Sequence, residues 1–159
     1  MEPRSMNHVG LTVEDLEGAT EWYEDVLGFN KIAGPLEVER GVGHFGDIGA
    51  DVVGEFEQMH FSHLTTANGC GLELFEYEAT GPKDEDTDFR LPGLNHICVT
   101  DPDVAELCDR IVEHGGKQTS DIWTLFPDKD YQIAYCQDPY GNTVEIYSHD
   151  YATTYANQD

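Results

Sequence analysis

Apolar and polar residues alternate over residues 7–13 (Asn-His-Val-Gly-Leu-Thr-Val), the period of a strand with one covered face. Leu16, Ala19, Trp22, Tyr23, Val26 and Leu27 then recur at helical spacing. Glu14 and Asp15 suit the positive end of that helix, and Gly28 suits its stop. Residues 29–33 read as a short strand, and 36–67 as two further strand-like runs broken by glycines at 41, 43, 46, 49 and 54. Gly69-Cys70-Gly71 turns into the strand Leu72-Glu73-Leu74-Phe75-Glu76-Tyr77. Residues 80–92 have the charge, glycine and prolines of a linker. The pattern then restarts with a strand from Leu94 to Thr100 and a helix entered through Asp101-Pro102. Val104, Leu107, Cys108, Ile111 and Val112 line one face of that helix, and Gly115-Gly116 stops it. Strands follow at 122–126, 132–137 and 143–147, the last entered through the turn Asp138-Pro139-Tyr140-Gly141-Asn142. Each half reads strand, helix, then three strands. The expected fold is therefore α+β, with one βαβββ module at 1–79, a linker at 80–92, a second module at 93–150 and a polar tail at 151–159 that frays or docks on a neighbour.

The two halves repeat in detail. Asn7-His8-Val9 opens the first, and Asn95-His96-Ile97 opens the second, 88 residues later. Leu72-Glu73-Leu74-Phe75 closes one, and Val144-Glu145-Ile146-Tyr147 closes the other. A carboxylate within an apolar strand is costly unless something pairs with it. A duplicated unit with one His near its start and one Glu near its end thus points to a site of two His and two Glu. A lone strand histidine is more often a buried imidazole bonded to a carbonyl; the twin placement turns the reading of His8 and His96 toward a metal. Glu73 and Glu145 alternate with apolar neighbours, so on a strand they point away from them. On a plain solvent face they would be surface acids, an ordinary outcome in so acidic a chain. Glu76 and Glu78 share the Glu73 segment, but the Leu-Glu-Leu-Phe setting parallels Val-Glu-Ile-Tyr. His60 and His63 lie on another strand of the first half, where His63 is the candidate substrate contact; a solvated or core role is the plainer reading. Phe61 and Tyr135, with Tyr131 and Trp123, are candidate pocket aromatics, though aromatics at strand spacing are usually core. His44, His114 and His149 read as surface or loop residues.

Charge narrows the partners. Thirty-two Asp and Glu face eight Lys and Arg, for a net charge of −24 spread through every segment. Such a surface repels phosphate backbones, so nucleic-acid binding is not expected. It repels itself as well, a strain eased where molar salt shortens the Debye length to about 3 Å. A halophilic, salt-rich cytoplasm is the expected setting. No apolar run of transmembrane length occurs, and Met1-Glu2-Pro3-Arg4-Ser5-Met6 lacks the apolar core of a signal peptide, so a soluble cytoplasmic protein without membrane contact is expected. Cys70, Cys98, Cys108 and Cys136 form no CxxC pair and read as reduced, mostly buried thiols.

The repeated βαβββ pattern, Asn-His-(Val/Ile) at the start of both halves and Asp-Pro-Tyr-Gly-Asn-Thr-Val-Glu-Ile-Tyr at the end resemble the vicinal oxygen chelate superfamily, which groups glyoxalase I, bleomycin resistance proteins and extradiol dioxygenases. The glyoxalase-like branch is the nearest match, over about residues 6–150. The resemblance implies two modules whose mixed sheets curl around a metal cleft, within one chain or across a homodimer. It implies that His8, Glu73, His96 and Glu145 ligate a divalent metal: Ni, Co, Zn or Mn, with Fe also compatible. Two coordination positions would remain for water or substrate.

For activity, the resemblance implies a lyase or isomerase of the lactoylglutathione lyase type. Its substrate would be small and oxygenated, such as the thiol adduct (hemithioacetal) of a 2-oxoaldehyde. The reaction would pass through an enediolate, with Glu145 or Glu73 moving the proton. One departure stands out. Glutathione-using members often place an arginine soon after the first ligand, whereas here Val9-Gly10-Leu11-Thr12-Val13 holds no base, and Arg40 or Arg90 would have to reach in. Three alternatives are an Fe(II) extradiol-type dioxygenase, which would leave Glu73 unneeded, an epimerase of coenzyme-A-linked acids, which would want more basic residues, and a metal-free small-molecule binding or resistance protein, which would need none of the four ligands.

Overall fold

The computed structural model describes residues 2–78, 80, 88–90 and 92–156. Most of the expected linker lies outside them, as does the end of the tail. The chain divides into two compact units, Met1–Pro82 and Lys83–Asp159.

The first unit runs β1 (His8–Thr12), α1 (Leu16–Leu27), β2 (Asn30–Glu39), α2 (Gly43–Val52), β3 (Gln58–Thr65) and β4 (Gly71–Tyr77). Its strands form a mixed sheet in the order β1-β4-β3-β2, with β1 parallel to β4 and the other pairs antiparallel. Asp15 caps α1 by accepting from the Gly18 N–H, and Gly28 closes it in the left-handed region at φ 68°. The apolar stripe of α1 (Leu16, Ala19, Trp22, Tyr23, Val26) is buried, as are Leu64, Leu72 and Leu74 on the sheet. Burial of this stripe orders the helix, since about 1.5–3 kcal/mol accompanies each large apolar side chain fully removed from water.

The second unit runs β5 (Ile97–Thr100), α3 (Val104–Glu113), β6 (Lys117–Gln118), β7 (Trp123–Thr124), β8 (Gln132–Gln137), β9 (Thr143–Tyr147) and α4 (Tyr151–Tyr155). Its sheet has the order β5-β9-β8-β6, with β7 also paired to β8, and β5 again runs parallel to the closing strand β9. The core is Val104, Leu107, Cys108 and Ile111 of α3 with Ala134, Cys136, Val144 and Ile146 of the sheet.

Four expectations need correction. Residues 29–33 are part of a ten-residue strand that continues through Pro35 to Glu39. The glycine-rich stretch after it is the helix α2 and not a broken strand. Its glycines mark close approach: a Cβ on Gly46 would run into the Glu39 carbonyl, and one on Gly49 would meet the Phe56 ring at 2.8 Å. The tail does not simply fray. Asp150 accepts from the Thr153 N–H to start α4, and the Tyr155 hydroxyl lies 2.6 Å from that of Tyr147. Within the 122–126 segment, Trp123–Thr124 alone is strand.

Candidate functional site

In the first unit, strand alternation sends Leu72 and Leu74 inward and leaves Glu73 on the opposite face of β4. Parallel pairing with β1 brings His8 to that face, its Nε2 3.4 Å from Oε2 of Glu73. From the other side β3 places His63 directly opposite Glu73, with Nδ1 3.3 Å from Oε1. The Phe61 ring meets the edge of His63 at 5.1 Å and packs on Phe75 at 5.9 Å. Gly10 is the β1 residue opposite Glu73, and a Cβ there would touch the Phe75 ring at 3.3 Å.

The second unit builds the same arrangement from different residues. Glu145, only 5% exposed, lies on β9 between Cys98 of β5 and Tyr135 of β8, its register partners on either side. His96, just before β5, puts Nε2 3.1 Å from Oε2 of Glu145. Cys98 and Tyr135 thus flank that carboxylate across the sheet. Burial, then the Glu145 charge, push the Cys98 thiol up to about 12. Burial, then the neighbouring Glu145 carboxylate, raise the Tyr135 phenol as well. Phe89 stacks along His96 at 6.1 Å, and Tyr135 stands edge-on to both rings.

The asparagine before each histidine completes a relay. Asn7 Oδ1 accepts from His8 Nδ1 at 2.8 Å, and Asn95 Oδ1 accepts from His96 Nδ1 in the same way. A carboxamide oxygen only accepts, so Nδ1 carries the proton in both rings and Nε2 faces the carboxylate. A lone pair aimed at a carboxylate is repulsive. A positive charge between them, either a second proton or a metal ion, turns the contact favourable. Imidazole and carboxylate are donors that divalent transition metals accept, so the residues present fit such an ion. Among the described residues, no group of three or more His, Cys, Asp or Glu is gathered tightly enough to hold a metal on its own. The first unit offers His8 and His63 on either oxygen of Glu73, and the second offers His96 on Glu145.

The other candidates separate cleanly. His60 lies on the opposite face of β3 from His63, 3.8 Å from Glu37. Glu76 accepts from the Leu16 N–H at the start of α1, and Glu78 accepts from Glu57 and Gln58, so both have backbone duties. Trp123 is 62% exposed, and Tyr131 packs on His149. Arg40 is tied to the Gly54 carbonyl and Glu55, and Arg90 to Asp88. The expectation of a buried thiol fails at Cys98, an exposed residue whose thiol lies 3.7 Å from the Val99 carbonyl on the strand beside Glu145. Asn7, Asn95, Cys98 and Phe89 escaped the sequence reading, although the repeated Asn-His was in plain view. A shallow depression of about 480 Å³ lies elsewhere, lined by Asp103, Glu106, Asp109, Arg110, Glu113 and His114.

Comparison with known proteins fits this duplicated architecture. A model of the Glyoxalase/Bleomycin resistance protein/Dioxygenase superfamily matches residues 5–146, and the chain belongs to that superfamily. No curated protein matches in sequence. Among solved structures, a glyoxalase family protein from Bacillus cereus superposes with a TM-score of 0.76 at 20% identity, covering 92% of this chain and 95% of that one. A Gln-for-Glu variant of the fosfomycin resistance protein FosX from Listeria monocytogenes, complexed with Mn(II) and 1S,2S-dihydroxypropylphosphonic acid, gives 0.63 at 14% identity over 99% and 100% of the two chains. A Gln-for-Glu variant of glyoxalase I from Zea mays gives 0.60 at 19% identity, covering 91% of this chain and 45% of that one. At such identities the likeness is one of fold. Among the described residues, no helix is long and apolar enough to cross a membrane.

Proposed function

We propose that this chain is a metal-dependent lyase or isomerase of the glyoxalase type, acting on a small oxygenated substrate such as the hemithioacetal of a 2-oxoaldehyde. The residues that would hold a divalent cation are His8 and Glu73 in the first unit and His96 and Glu145 in the second. The observation that carries this reading is the relay made twice, an Asn that fixes Nδ1 and turns Nε2 onto a carboxylate. A chain that needed only buried histidines would have no reason to repeat it. FosX with Mn(II) lends support from the same fold.

When bound, the cation supplies Lewis acidity to adjacent substrate oxygens. The remaining work falls to the protein. A glutamate oxygen takes the proton from the carbon that bears the hydroxyl and returns it to the former carbonyl carbon, while the hydroxyl proton passes to the former carbonyl oxygen. The substrate is isomerised, and no oxidant or reductant is consumed. Phe61, packed on Phe75, stands against His63 in one unit, and Phe89 and Tyr135 stand against His96 in the other, so each site has aromatic rings beside its imidazole. Arg40 and Arg90 are engaged with neighbouring residues, which favours a thiol cosubstrate without the carboxylates of glutathione.

The test is elemental analysis of protein purified in molar KCl without chelator or affinity metal. Bound Ni, Co, Zn or Mn that His96→Ala loses, followed by turnover of a hemithioacetal, is the expected result. Iron would redirect the assay to ring cleavage of catechols. No metal, and no uptake on soaking, would overturn the reading.

A further inference from the structure

Of the two duplicated carboxylates, Glu73 stands between two imidazoles, and the rings do not meet it alike. His8 Nε2 lies 3.4 Å from Oε2 and His63 Nδ1 lies 3.3 Å from Oε1, so each oxygen has its own ring. Where the first unit has His63, the second has Tyr135. We propose that His63 is a positioning residue: its Nδ1–H takes one oxygen of Glu73 and leaves the other oxygen to share a cation with His8. The inference rests on the metal reading of His8 and Glu73, and gives His63 a role behind that pair in place of a substrate contact.

The tautomers separate the two rings. Asn7 Oδ1 takes the Nδ1 proton of His8 at 2.8 Å, so His8 Nε2 brings only a lone pair to Glu73. His63 has no such acceptor: among the described residues its one polar contact is Glu73, made through Nδ1. A neutral imidazole carries one N–H, and an N–H facing a carboxylate is favourable where a lone pair is not. His63 can therefore meet Glu73 as a donor without gaining a charge.

Placement agrees. The antiparallel register sets His63 directly opposite Glu73, where paired side chains stand about 4.5–5.5 Å apart at Cβ. Phe61, two residues away on the same face of β3, packs edge-on to the His63 ring at 5.1 Å and is backed by Phe75 at 5.9 Å. On the other flank of Glu73 the register partner is Gly10, which brings no side chain. Two ligands on a tetrahedral cation, each about 2.0–2.2 Å from it, stand roughly 3.4 Å apart. His8 Nε2 and Oε2 have that separation. His63 Nδ1 is nearly as far from its own oxygen, and the asparagine behind His8 is what tells the two rings apart. A carboxylate held at its far oxygen keeps its rotation when the cation leaves, which is the usual work of a partner behind a metal ligand.

The experiment uses His63→Ala, His63→Asn and His63→Gln, each checked for fold by circular dichroism. An Asn amide places an N–H near where Nδ1 stands, and a Gln amide places one near Nε2. Affinity for Zn(II) is measured by competition with a chelating dye. His63→Ala should weaken binding about tenfold or more, His63→Asn should recover most of the loss, and His63→Gln should not. Wild-type affinity in His63→Ala would overturn the proposal, as would equal recovery by Gln. So would a loss that Asn fails to recover, which would make His63 a ligand or a packing group. The second measurement needs no metal. In metal-free protein at about pH 9, where ordinary imidazoles are neutral, long-range ¹H–¹⁵N spectra should show His63 protonated at Nδ1. Protonation at Nε2 would overturn the proposal. If the wild type takes up no metal, the proposed function fails, and the tautomer alone decides whether His63 holds Glu73.

Discussion

Asn95 holds the Nδ1 edge of His96 through its carboxamide oxygen, and Asn7 holds His8 in the same way. The contact sets which ring nitrogen carries the proton, and so which one is offered to a ligand. Replacing Asn95 with Ala should weaken metal uptake about 10–100-fold, the usual cost of removing a partner behind a ligating imidazole. Asn95→Asp, which keeps the acceptor, should recover most of the loss. Competition titration of both variants checks this, and equal weakening in the two would remove the asparagine from the site.

Glu145 is the more deeply placed of the two carboxylates, with His96 Nε2 3.1 Å from it and Cys98 and Tyr135 as its register partners. Removing one side of such a buried contact typically costs about 1–3 kcal/mol for the groups left unsatisfied. Glu145→Ala should therefore lower the urea midpoint of metal-free protein more than Glu73→Ala does. Equal midpoints would show that the contacts around Glu145 are not formed in solution.

Ala is favoured over Gly in a helix by about 1 kcal/mol. In α2 the opposite is expected, because the Cβ of Ala at position 46 would meet the Glu39 carbonyl, a backbone atom that cannot step aside. Gly46→Ala should lower the melting temperature, whereas Gly→Ala at an unobstructed helical position raises it. A melting curve by circular dichroism decides between them.

This helix also shows where the sequence stopped being readable. Periodicity located α1, α3 and the strands that carry the four metal-type residues, because each has a covered face that repeats at its own period. The same reading took the glycines of α2 as breaks, since a glycine that admits a neighbouring backbone looks like one that interrupts a strand. The register of β4 against β3 set His63 and not His60 beside Glu73, a choice that depends on pairing between distant strands. Cys98 and Tyr135 became relevant in the same way, as cross-strand partners of Glu145 from β5 and β8. Asp150 followed by Thr153 was the one local sign of α4, and a short polar tail gave no reason to weigh it.

The buried thiols provide a check on the core of the second unit. Burial, and then the neighbouring Cys108, push Cys136 up to about 12 from the ordinary 9.0. Its folded-state value is raised, so the folded chain keeps a proton that the unfolded chain releases between those two limits. The stability this thiol contributes is full below pH 9 and is lost as pH rises toward 12. Iodoacetamide at pH 8 should spare Cys136 in the native protein and label it in urea, since the thiolate is the reactive form. Rapid native labelling, read by mass spectrometry, would contradict this packing.

A net charge of −24 sets the conditions for all these assays. Raising KCl from about 0.1 M to 1 M cuts the screening length from about 10 to 3 Å, so charges spread over the surface cease to repel one another. The urea midpoint should rise with KCl over that range. The replacement of several surface acids by their amides should flatten the dependence. A midpoint indifferent to salt would mean that the fold does not carry the strain its charge suggests.

Gly10 and Cys98 hold equivalent places beside Glu73 and Glu145, as do His63 and Tyr135, and these differences tell the two halves apart. Two like halves start as interchangeable, and interchangeable carboxylates compete for the same task. Once one copy acquires a thiol and a phenol beside its glutamate and the other keeps an empty position, the halves can no longer be swapped without loss. A chain assembled from two second units would have a thiol and a phenol beside both carboxylates, and a chain of two first units would have a histidine and a bare backbone position beside both. The repeat is preserved in outline because its symmetry is broken where the chemistry would take place.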